Sequence, residues 1–366
     1  LIDHNYVKNF SLRYNNLVNK DCIKLLGPKY CLLDDSFKNK NQFFSNNAKR
    51  IFIFFSTVFK PRLFNLITNV LSRKEFKNLK IDYVVGNLDK KKISKFKKTL
   101  PKNFNLLTKK KNLYNTMKKS SFAIGSGSTN TWERINMALP SIVFCIAPNQ
   151  KRICNFLNEK KIIKYLGSDK NYSKRKFYSA IRFMINNFKK QKTIAIENKH
   201  LIDGNGARRI NFFISKNEIN KFTLKKIKNS DADLLFMWIN DPKVRQNSFL
   251  VKKISYQKHK IWLKKKLLKK KSIFLKLIVN GVPVGQIRFD NKKKFYYVDY
   301  SIDDAFRNLG FGKLIIKESI KKYIKKNKKV RADVKKTNLN SIKIFQSLNF
   351  DEIKNNFDNR SFVLNT

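Results

Sequence analysis

The chain has 366 residues, 42% of them hydrophobic, and carries 81 Lys+Arg against 25 Asp+Glu, a formal net charge of +56. That apolar fraction supports packed cores, so the chain is not a disordered polyelectrolyte, and its length suits two or three domains. No run of about 18 apolar residues occurs, which argues against a membrane-spanning helix.

In chain order, residues 1–45 hold short elements without a core of their own, among them Leu1–Asn5 and Leu25–Tyr30. The first residue is Leu1 rather than Met, and the segment is expected to be the tail of an N-terminal domain whose earlier part is missing. Residues 46–215 alternate between two patterns. Strand-like runs lie at Ile51–Phe55, Ile81–Val85, Phe104–Leu107, Phe122–Ile124 and Ser141–Ile146, and helical patterns at Leu63–Leu71 and Thr131–Ala138. The alternation predicts an α/β domain, a parallel sheet covered by helices, with ligands at the carboxyl ends of its strands. A polar stretch at Ile214–Lys221, containing Ser215, Asn217 and Asn220, marks a boundary.

From Phe222 the pattern becomes α+β. A strand at Phe222–Ile227 leads to helices at Ala232–Asn240 and Tyr256–Lys269. Strands follow at Ile273–Val279, Val284–Phe289 and Phe295–Ile302, then a glycine loop, a helix over Leu314–Lys325, a strand at Val330–Val334 and a helix from Leu339.

The four cysteines, Cys22, Cys31, Cys145 and Cys154, lack CxxC spacing, and Cys145 sits in an apolar strand. They fit reduced thiols and a cytoplasmic setting, with no metal site. The positive charge admits two readings, nucleic-acid or anionic-membrane binding and a Lys/Asn-rich bias spread over solvated faces. The densest clusters, Lys90–Lys92, Lys109–Lys111 and Lys264–Lys271, come with no nucleic-acid motif, which favours the second reading. Either way, the field draws anionic ligands.

Two loops carry chemistry. Arg307-Asn308-Leu309-Gly310-Phe311-Gly312-Lys313 lies between a strand and a helix. Two glycines let the backbone approach an anion, and the amides of the first helical turn point at it. The second loop, Gly125-Ser126-Gly127-Ser128-Thr129-Asn130-Thr131-Trp132-Glu133, also joins a strand to a helix, which Thr129 or Asn130 can cap. A diphosphate suits such a turn, and Glu133, one turn in, can accept from ribose hydroxyls. Asp299 alternates away from Val298 and Tyr300, so it is either a base facing a cleft or a solvated carboxylate. His259, in a Lys-rich helix, reads as a surface histidine.

Arg307–Gly312 and, farther on, Asn338-x-x-Ser341-x-x-x-Phe345 resemble, in this order, the acetyl-CoA site of the GNAT N-acetyltransferases. The resemblance implies an acetyltransferase domain over 222–366 with acetyl-CoA as donor. It implies that Arg307, Asn308, Leu309, Gly310, Phe311, Gly312 and Lys313 hold the pyrophosphate, and that Val298, Tyr300 and Ile302 line the pantetheine from a strand splayed away from Val330–Val334. Asn338, Ser341 and Phe345 would lie along the CoA arm. Family members often have a tyrosine at the place of Phe345, where it protonates the departing thiolate. That task would fall to water, Tyr297 or Tyr300, with Asp299 as the candidate base.

Gly125–Glu133, with Ala138-Leu139-Pro140-Ser141, Asn149-Gln150 and Asp203-Gly204-Asn205-Gly206-Ala207-x-Arg209, resembles the UDP-sugar hydrolase of pseudaminic acid biosynthesis. This implies that 46–215 is the C-terminal, Rossmann-like half of a glycosyltransferase-B fold, with Gly125, Gly127, Ser128, Thr129, Thr131, Glu133, Asn149 and Gln150 at a UDP-sugar. The family's catalytic histidine, in a glycine-rich turn, has no counterpart here, so the hydrolase-like part reads as incomplete. Trp238-Ile239-Asn240-Asp241-Pro242-x-x-x-Arg245-x-x-Ser248 resembles acetyltransferases of sugar-nucleotide pathways. The joint expectation is an enzyme that acetylates a UDP-amino-sugar. The alternatives are acetylation of a protein amine and a basic nucleic-acid-binding or scaffold protein with a degenerate acetyltransferase domain.

Overall fold

The computed structural model describes residues 1–38, 48–108, 113–168, 172–215, 219, 221–268, 272–292, 294–355 and 358–366. The clusters Lys109–Lys111 and Lys269–Lys271, together with Asn217 and Asn220, lie outside the described residues. The chain divides into two compact units, Leu1–Ile210 and Asn211–Thr366.

The first unit begins with two short strands, β1 (Ile2–Asp3) and β2 (Leu25–Leu26), paired in parallel. Then come β3 (Arg50–Phe54), α1 (Pro61–Leu71), β4 (Lys80–Val84), α2 (Lys90–Thr99), β5 (Phe104–Leu107), α3 (Tyr114–Lys118), β6 (Phe122–Ser126), α4 (Asn130–Asn136) and β7 (Ser141–Cys145). α5 (Lys151–Glu159), β8 (Lys164–Ser168), α6 (Lys174–Asn186), α7 (Phe188–Asn198) and α8 (Gly206–Ile214) complete the series; the last four residues of α8 belong to the second unit. The six longer strands form one parallel sheet in the order β5-β4-β3-β6-β7-β8. The order reverses between β3 and β6, and in open sheets of this kind the crevice at that reversal is where ligands bind.

The near-continuous apolar runs of these strands follow from burial on both faces. Ile51, Ile53, Phe122, Ile124, Ile142 and Phe144 pack on one side with α1 and α6. Phe52, Ala123 and Val143, the alternate residues, pack on the other with Trp132, Ile135 and Leu157. Val7, Cys31, Leu33 and Phe37 join this second cluster, so the opening residues share the core of the sheet. Lysines are kept off these faces: α2, with sequence KKKISKFKKT, buries only Ile93 and is capped by Asp89, whose Oδ1 accepts from Lys92 N at 2.7 Å.

The second unit contains β9 (Phe222–Lys226), α9 (Ala232–Ile239), α10 (Pro242–Asn247), α11 (Tyr256–Leu267), β10 (Ser272–Val279), β11 (Val282–Lys292), β12 (Phe295–Ile302), α12 (Phe311–Tyr323), β13 (Lys329–Lys335), α13 (Leu339–Ser347), β14 (Asp351–Asn355) and β15 (Asn359–Asn365). They build a seven-stranded sheet, β14-β15-β13-β12-β11-β10-β9, antiparallel except at β12–β13. Alternation along β12 puts Tyr296, Val298, Tyr300 and Ile302 on the face covered by Phe311, Ile315, Ile342 and Phe345. Tyr297, Asp299 and Ser301 take the opposite face.

Two helix ends differ from expectation. α12 starts at Phe311, three residues before the apolar run, because Gly310 adopts φ +80 and begins the turn. α4 has Thr129 at its N-cap in a helical conformation with no side-chain cap bond, so the expected hydroxyl cap does not form.

The Asp203–Arg209 segment serves packing. Arg209, fully buried, donates to Asp203 Oδ1 at 2.7 Å and Oδ2 at 2.6 Å, and to Lys29 O at 3.1 Å. Removing one partner of such a pair strands a buried charge. Asp203→Ala is therefore expected to lower the stability of the first unit by about 3–5 kcal/mol, read as a lower urea midpoint for its unfolding.

Candidate functional site

The second unit is opened by the ending of one ladder. β12 pairs with β11 over its whole length, from Phe295↔Lys292 to Ile302↔Gly285. With β13 it pairs only at Phe295↔Lys329, Tyr296↔Val330 and Tyr297↔Arg331. From Val298 to Ile302 no β13 partner faces it among the described residues, so the strands splay and leave a backbone edge lining a wedge. Backbone groups deprived of a ladder call for another partner.

The loop above the wedge is fixed from below. Arg307 Nη2 donates to Asp241 Oδ1 at 2.6 Å and its Nε to Ile302 O at 3.2 Å. Asp241 also caps α10 through Val244 N at 3.0 Å. Trp238 Nε1 donates to Asp303 Oδ2 at 2.8 Å, and Asp303 Oδ1 accepts from Ala305 N at 3.0 Å. The Arg307 guanidinium is thus committed to the scaffold, and the outward donors are backbone. Asn308, with φ 62, and Gly310 are left-handed; both are exposed, as is Lys313. The amides of Phe311, Gly312 and Lys313 lie in the first turn of α12, where no intrahelical acceptor exists. A Cβ on Gly310 would meet open space. One on Gly312 would meet Ile344 Cδ1 at 2.8 Å and Tyr300 Cε2 at 3.4 Å. Gly310 is therefore set by conformation and Gly312 by close packing. Leu309 and Phe311 anchor the loop in the core.

Asn338 caps α13, accepting from Ser341 N at 3.3 Å, and Ser341 Oγ lies 2.9 Å from the Tyr300 hydroxyl. Phe345 is 2% exposed, with its ring against Tyr300, Phe350 and Phe362. Tyr297 sits where the ladder ends, on the opposite face from Tyr300, between the cations of Lys292 and Arg331. That opposite face is polar. Asp299, half-exposed, accepts from Arg288 Nη2 at 3.0 Å and from Gln286 Nε2 at 3.4 Å, and Gln286 also reaches Ser301 Oγ at 3.3 Å. The carboxylate is thus held by two side-chain donors on this face, an arrangement suited to recognition. Arg245 Nε and Gln286 Oε1, both buried, have no hydrogen-bond partner among the described residues. His259 is buried at 2% exposure rather than on the surface, stacked on Trp262 with Nε2 on Ala232 O at 3.0 Å. Burial holds it below the ordinary histidine pKa, and it belongs to the packing of α9 on α11.

In the first unit a cavity of ≈ 410 Å³ opens at the carboxyl ends of β3 and β6. Of the eight residues the sequence marked, Ser128, Thr129, Glu133 and Gln150 line it. Gly125 and Gly127 lie behind it. A Cβ on Gly125 would strike Arg134 Nη1 at 2.4 Å and Phe54 O at 2.6 Å, and one on Gly127 would strike Cys154 Sγ at 2.2 Å. Thr131 is buried, donating to Ser126 O at 3.0 Å and accepting from Arg134 Nη2 at 2.9 Å. Asn149 is not among the lining residues. Asp34, Phe37 and Phe55, which no local pattern announced, complete the wall with Asn130, Ser56 and Thr57. Among the described residues, none that lines it is a lysine or arginine. The cavity offers hydroxyls, two carboxylates and aromatic faces, a lining suited to a hydroxylated ring and not to a diphosphate. Among the described residues no cluster of three or more His, Cys, Asp or Glu is placed to hold a metal.

Residues 221–351 match the family model described as an acetyltransferase (GNAT) domain. The chain carries a C-terminal GNAT acetyltransferase domain. Its activity is acyl transfer, and domains of this kind take the acetyl group from acetyl-CoA. No curated protein matches the chain in sequence. Among solved structures it is similar to the spermidine N-acetyltransferase of Vibrio cholerae in complex with CoA and spermine (13% identity, 39% of this chain and 94% of that one, TM-score 0.36). It is also similar to a GNAT-family acetyltransferase of Streptococcus pneumoniae (16%, 39% and 98%, 0.33). The wedge, the glycine loop and the first turn of α12 fit an extended ligand arm ending in a pyrophosphate, and the described part of the chain has no helix long and apolar enough to cross a membrane.

Glu133 gives a pH signature. Burial raises its pKa above the ordinary carboxylate value against the opposing bond from Asn130 and the nearby Arg134 charge. The folded state then binds this proton more tightly than the unfolded chain, so the contribution of Glu133 to stability falls as pH rises through the raised value. Glu133→Gln is expected to flatten that fall and to raise the melting temperature at pH 7, checked by thermal melts of wild type and variant from pH 4 to 8.

Proposed function

We propose that this GNAT domain acetylates the amine of a UDP-amino-sugar in nonulosonic (pseudaminic) acid biosynthesis, and that the first unit is the nucleotide-sugar-binding half of a glycosyltransferase-B fold. The observation that carries the reading is the free edge of β12 beside the first turn of α12. Gly310, Phe311, Gly312 and Lys313 present amides to the pyrophosphate, with Asn308 and Leu309 shaping the turn. Val298, Tyr300 and Ile302 present the strand edge to pantetheine, whose amides replace the missing ladder. Arg307 acts as the anchor of that loop. Asn338 and Ser341 position the wall opposite, and Phe345 closes it.

Acyl transfer requires a neutral amine, a polarised thioester carbonyl and support for the departing sulfur. A strand amide in the wedge can supply the second. The polar face bearing Asp299, Gln286 and Ser301, with the unpartnered Arg245 Nε and Gln286 Oε1, suits an acceptor whose amine neighbours hydroxyl groups. Asp299 accepts from that amine, and Tyr297 flanks it. The hydroxyl- and carboxylate-lined cavity of the first unit supports the nucleotide-sugar half of the reading: Glu133 and Asp34 accept from sugar hydroxyls, and the aromatic walls take the flat faces.

The test is mass spectrometry of the full chain incubated with acetyl-CoA and a UDP-4-amino-4,6-dideoxy sugar. The expected product gains one acetyl group with UDP still attached, and Gly310→Glu abolishes it by placing a carboxylate at the anion site. Release of free UDP as well would make the first unit a working hydrolase. No product despite measurable CoA binding would overturn the sugar reading in favour of a protein amine.

A further inference from the structure

We propose that the loop between α10 and α11 is a membrane-insertion tip, and that the second unit docks through it on an anionic lipid surface, whichever amine the domain acetylates. Phe249, Leu250 and Val251, three consecutive large apolar residues, are 58%, 80% and 57% exposed. Single apolar residues on a surface are ordinary; three in a row on one loop form a patch that calls for a partner. The loop does not hang free. Arg245 is buried and donates from Nη1 to Leu250 O at 2.9 Å and from Nη2 to Ser248 Oγ at 2.9 Å. Ser248 Oγ donates in turn to Val244 O at 2.6 Å. Asn240 closes the stem: its Nδ2 donates to Ile254 O at 3.0 Å and its Oδ1 accepts from Ile254 N at 2.9 Å. These bonds hold the backbone and leave the three side chains outside, which keeps the triplet from folding back onto its own unit.

The charge around the tip selects the partner. From Pro242 to Phe289 the sequence contains no Asp or Glu. Lys252 and Lys253 follow the triplet directly and are exposed, as is Lys243 on α10. α11, which begins at Tyr256, repeats the combination: Ile261, and Leu268 at its end, are exposed along with Lys258, Lys264 and Lys265. A second copy of this chain would bring the same positive charge to the contact and be repelled. A nucleic acid would satisfy the lysines and leave Leu250 and Val251 without a use, since bases stack on aromatic faces. A bilayer with anionic headgroups meets both features, taking lysines at the headgroup level and apolar side chains at the acyl boundary. The position of the tip gives docking a consequence. Lys335, at the splayed end of β13, donates to Gln246 O of α10 at 3.0 Å. That bond places α10 and the loop after it at the end where the wedge opens, so docking brings the opening to the lipid surface.

Vesicle flotation of the full chain tests this, with vesicles of phosphatidylcholine alone and of phosphatidylcholine with about one third phosphatidylglycerol, at about 0.15 M and about 0.5 M salt. Wild type is expected to bind the anionic vesicles and to keep a measurable part of that binding at the higher salt, where surface attraction is screened and apolar insertion is not. Leu250→Ser, which leaves the net charge unchanged, should weaken partition roughly tenfold, the effect of withdrawing one large apolar side chain from the acyl boundary. Lys91→Ser on α2, which removes a charge and spares the tip, should leave the high-salt binding unchanged. Melting temperatures equal to that of wild type separate loss of insertion from loss of fold. In Phe249→Trp, the added tryptophan emission should be quenched by vesicles whose acyl chains carry bromine. Equal binding of wild type and Leu250→Ser, binding that vanishes at the higher salt, or no quenching would show attraction by charge alone and overturn the insertion. Absence of vesicle binding would overturn it as well, and a dimer dispersed by Leu250→Ser would then make a second copy the occupant. Acetyl transfer by the GNAT domain would stand in each case.

Discussion

The second unit turns on one ladder that stops early. A strand inside a sheet normally spends its backbone donors and acceptors on two neighbours. β12 does so on the β11 side for its whole length and on the β13 side for only three residues. The side chains of Val298 and Ile302 stay in the core with Phe311 and Ile315, so the strand cannot rotate to hide the exposed edge. The edge is held open by packing on one face and by the β11 ladder on one side. An extended ligand with alternating amides is the economical partner for such an edge, because it restores what the splay removed.

Holding a wedge open requires that the loop capping it stay put. That is the role of the long-range contacts to the end of α9 and the turn into α10. Arg307 and Asp241 are 66 residues apart in sequence, Trp238 and Asp303 65, and both pairs meet beneath the loop. The arginine that opens the glycine motif is thereby a structural member. What remains for an anion is the α12 amides, Lys313 and the left-handed turn at Asn308 and Gly310. Backbone donors fixed in this way need no reorganisation when the ligand arrives.

What could be read beforehand follows the range over which each signal acts. The buried parallel strands were legible because burial on both faces demands apolar runs such as Ile51–Phe55 and Ile81–Val85. β12 and its glycine loop were legible because Gly310 is required locally by a positive φ. β8, with sequence KYLGS, was not, since an edge strand half open to solvent needs no apolar run. β14 was hidden because its described side chains, Asp351, Glu352 and Ile353, are exposed and form no apolar run, and α10 because a six-residue helix started by Pro242 shows no periodicity. Of the residues the local motif marked, Ser128, Thr129 and Glu133 line the first-unit cavity, while Gly125, Gly127 and Thr131 pack behind it around Arg134 and Cys154. Asp34, Phe37 and Phe55 come from other parts of the chain, and only the fold gathers them. His259 was misjudged because lysines surround it in sequence, whereas on the helix it takes the inward face with Leu263.

The charge of +56 is consistent with this division between local and global signals. Lysines crowd solvated helix faces such as those of α2 and α11, and each acts through water with a screening length of about 8 Å at physiological salt. A field of that kind raises the local concentration of any anion, CoA and nucleotides alike, without choosing between them. Choice belongs to groups inside the sites, and there the balance changes. Among the described residues the first-unit cavity is walled by Asp34 and Glu133 with no basic residue, and Arg134 behind it donates to Asn130, Ser126 and Thr131. An anionic ligand drawn in by the surface would thus have to keep its negative groups outside that cavity and offer it hydroxyls. A molecule that is anionic at one end and polyhydroxylated at the other meets both conditions, and a nucleotide sugar is of that kind.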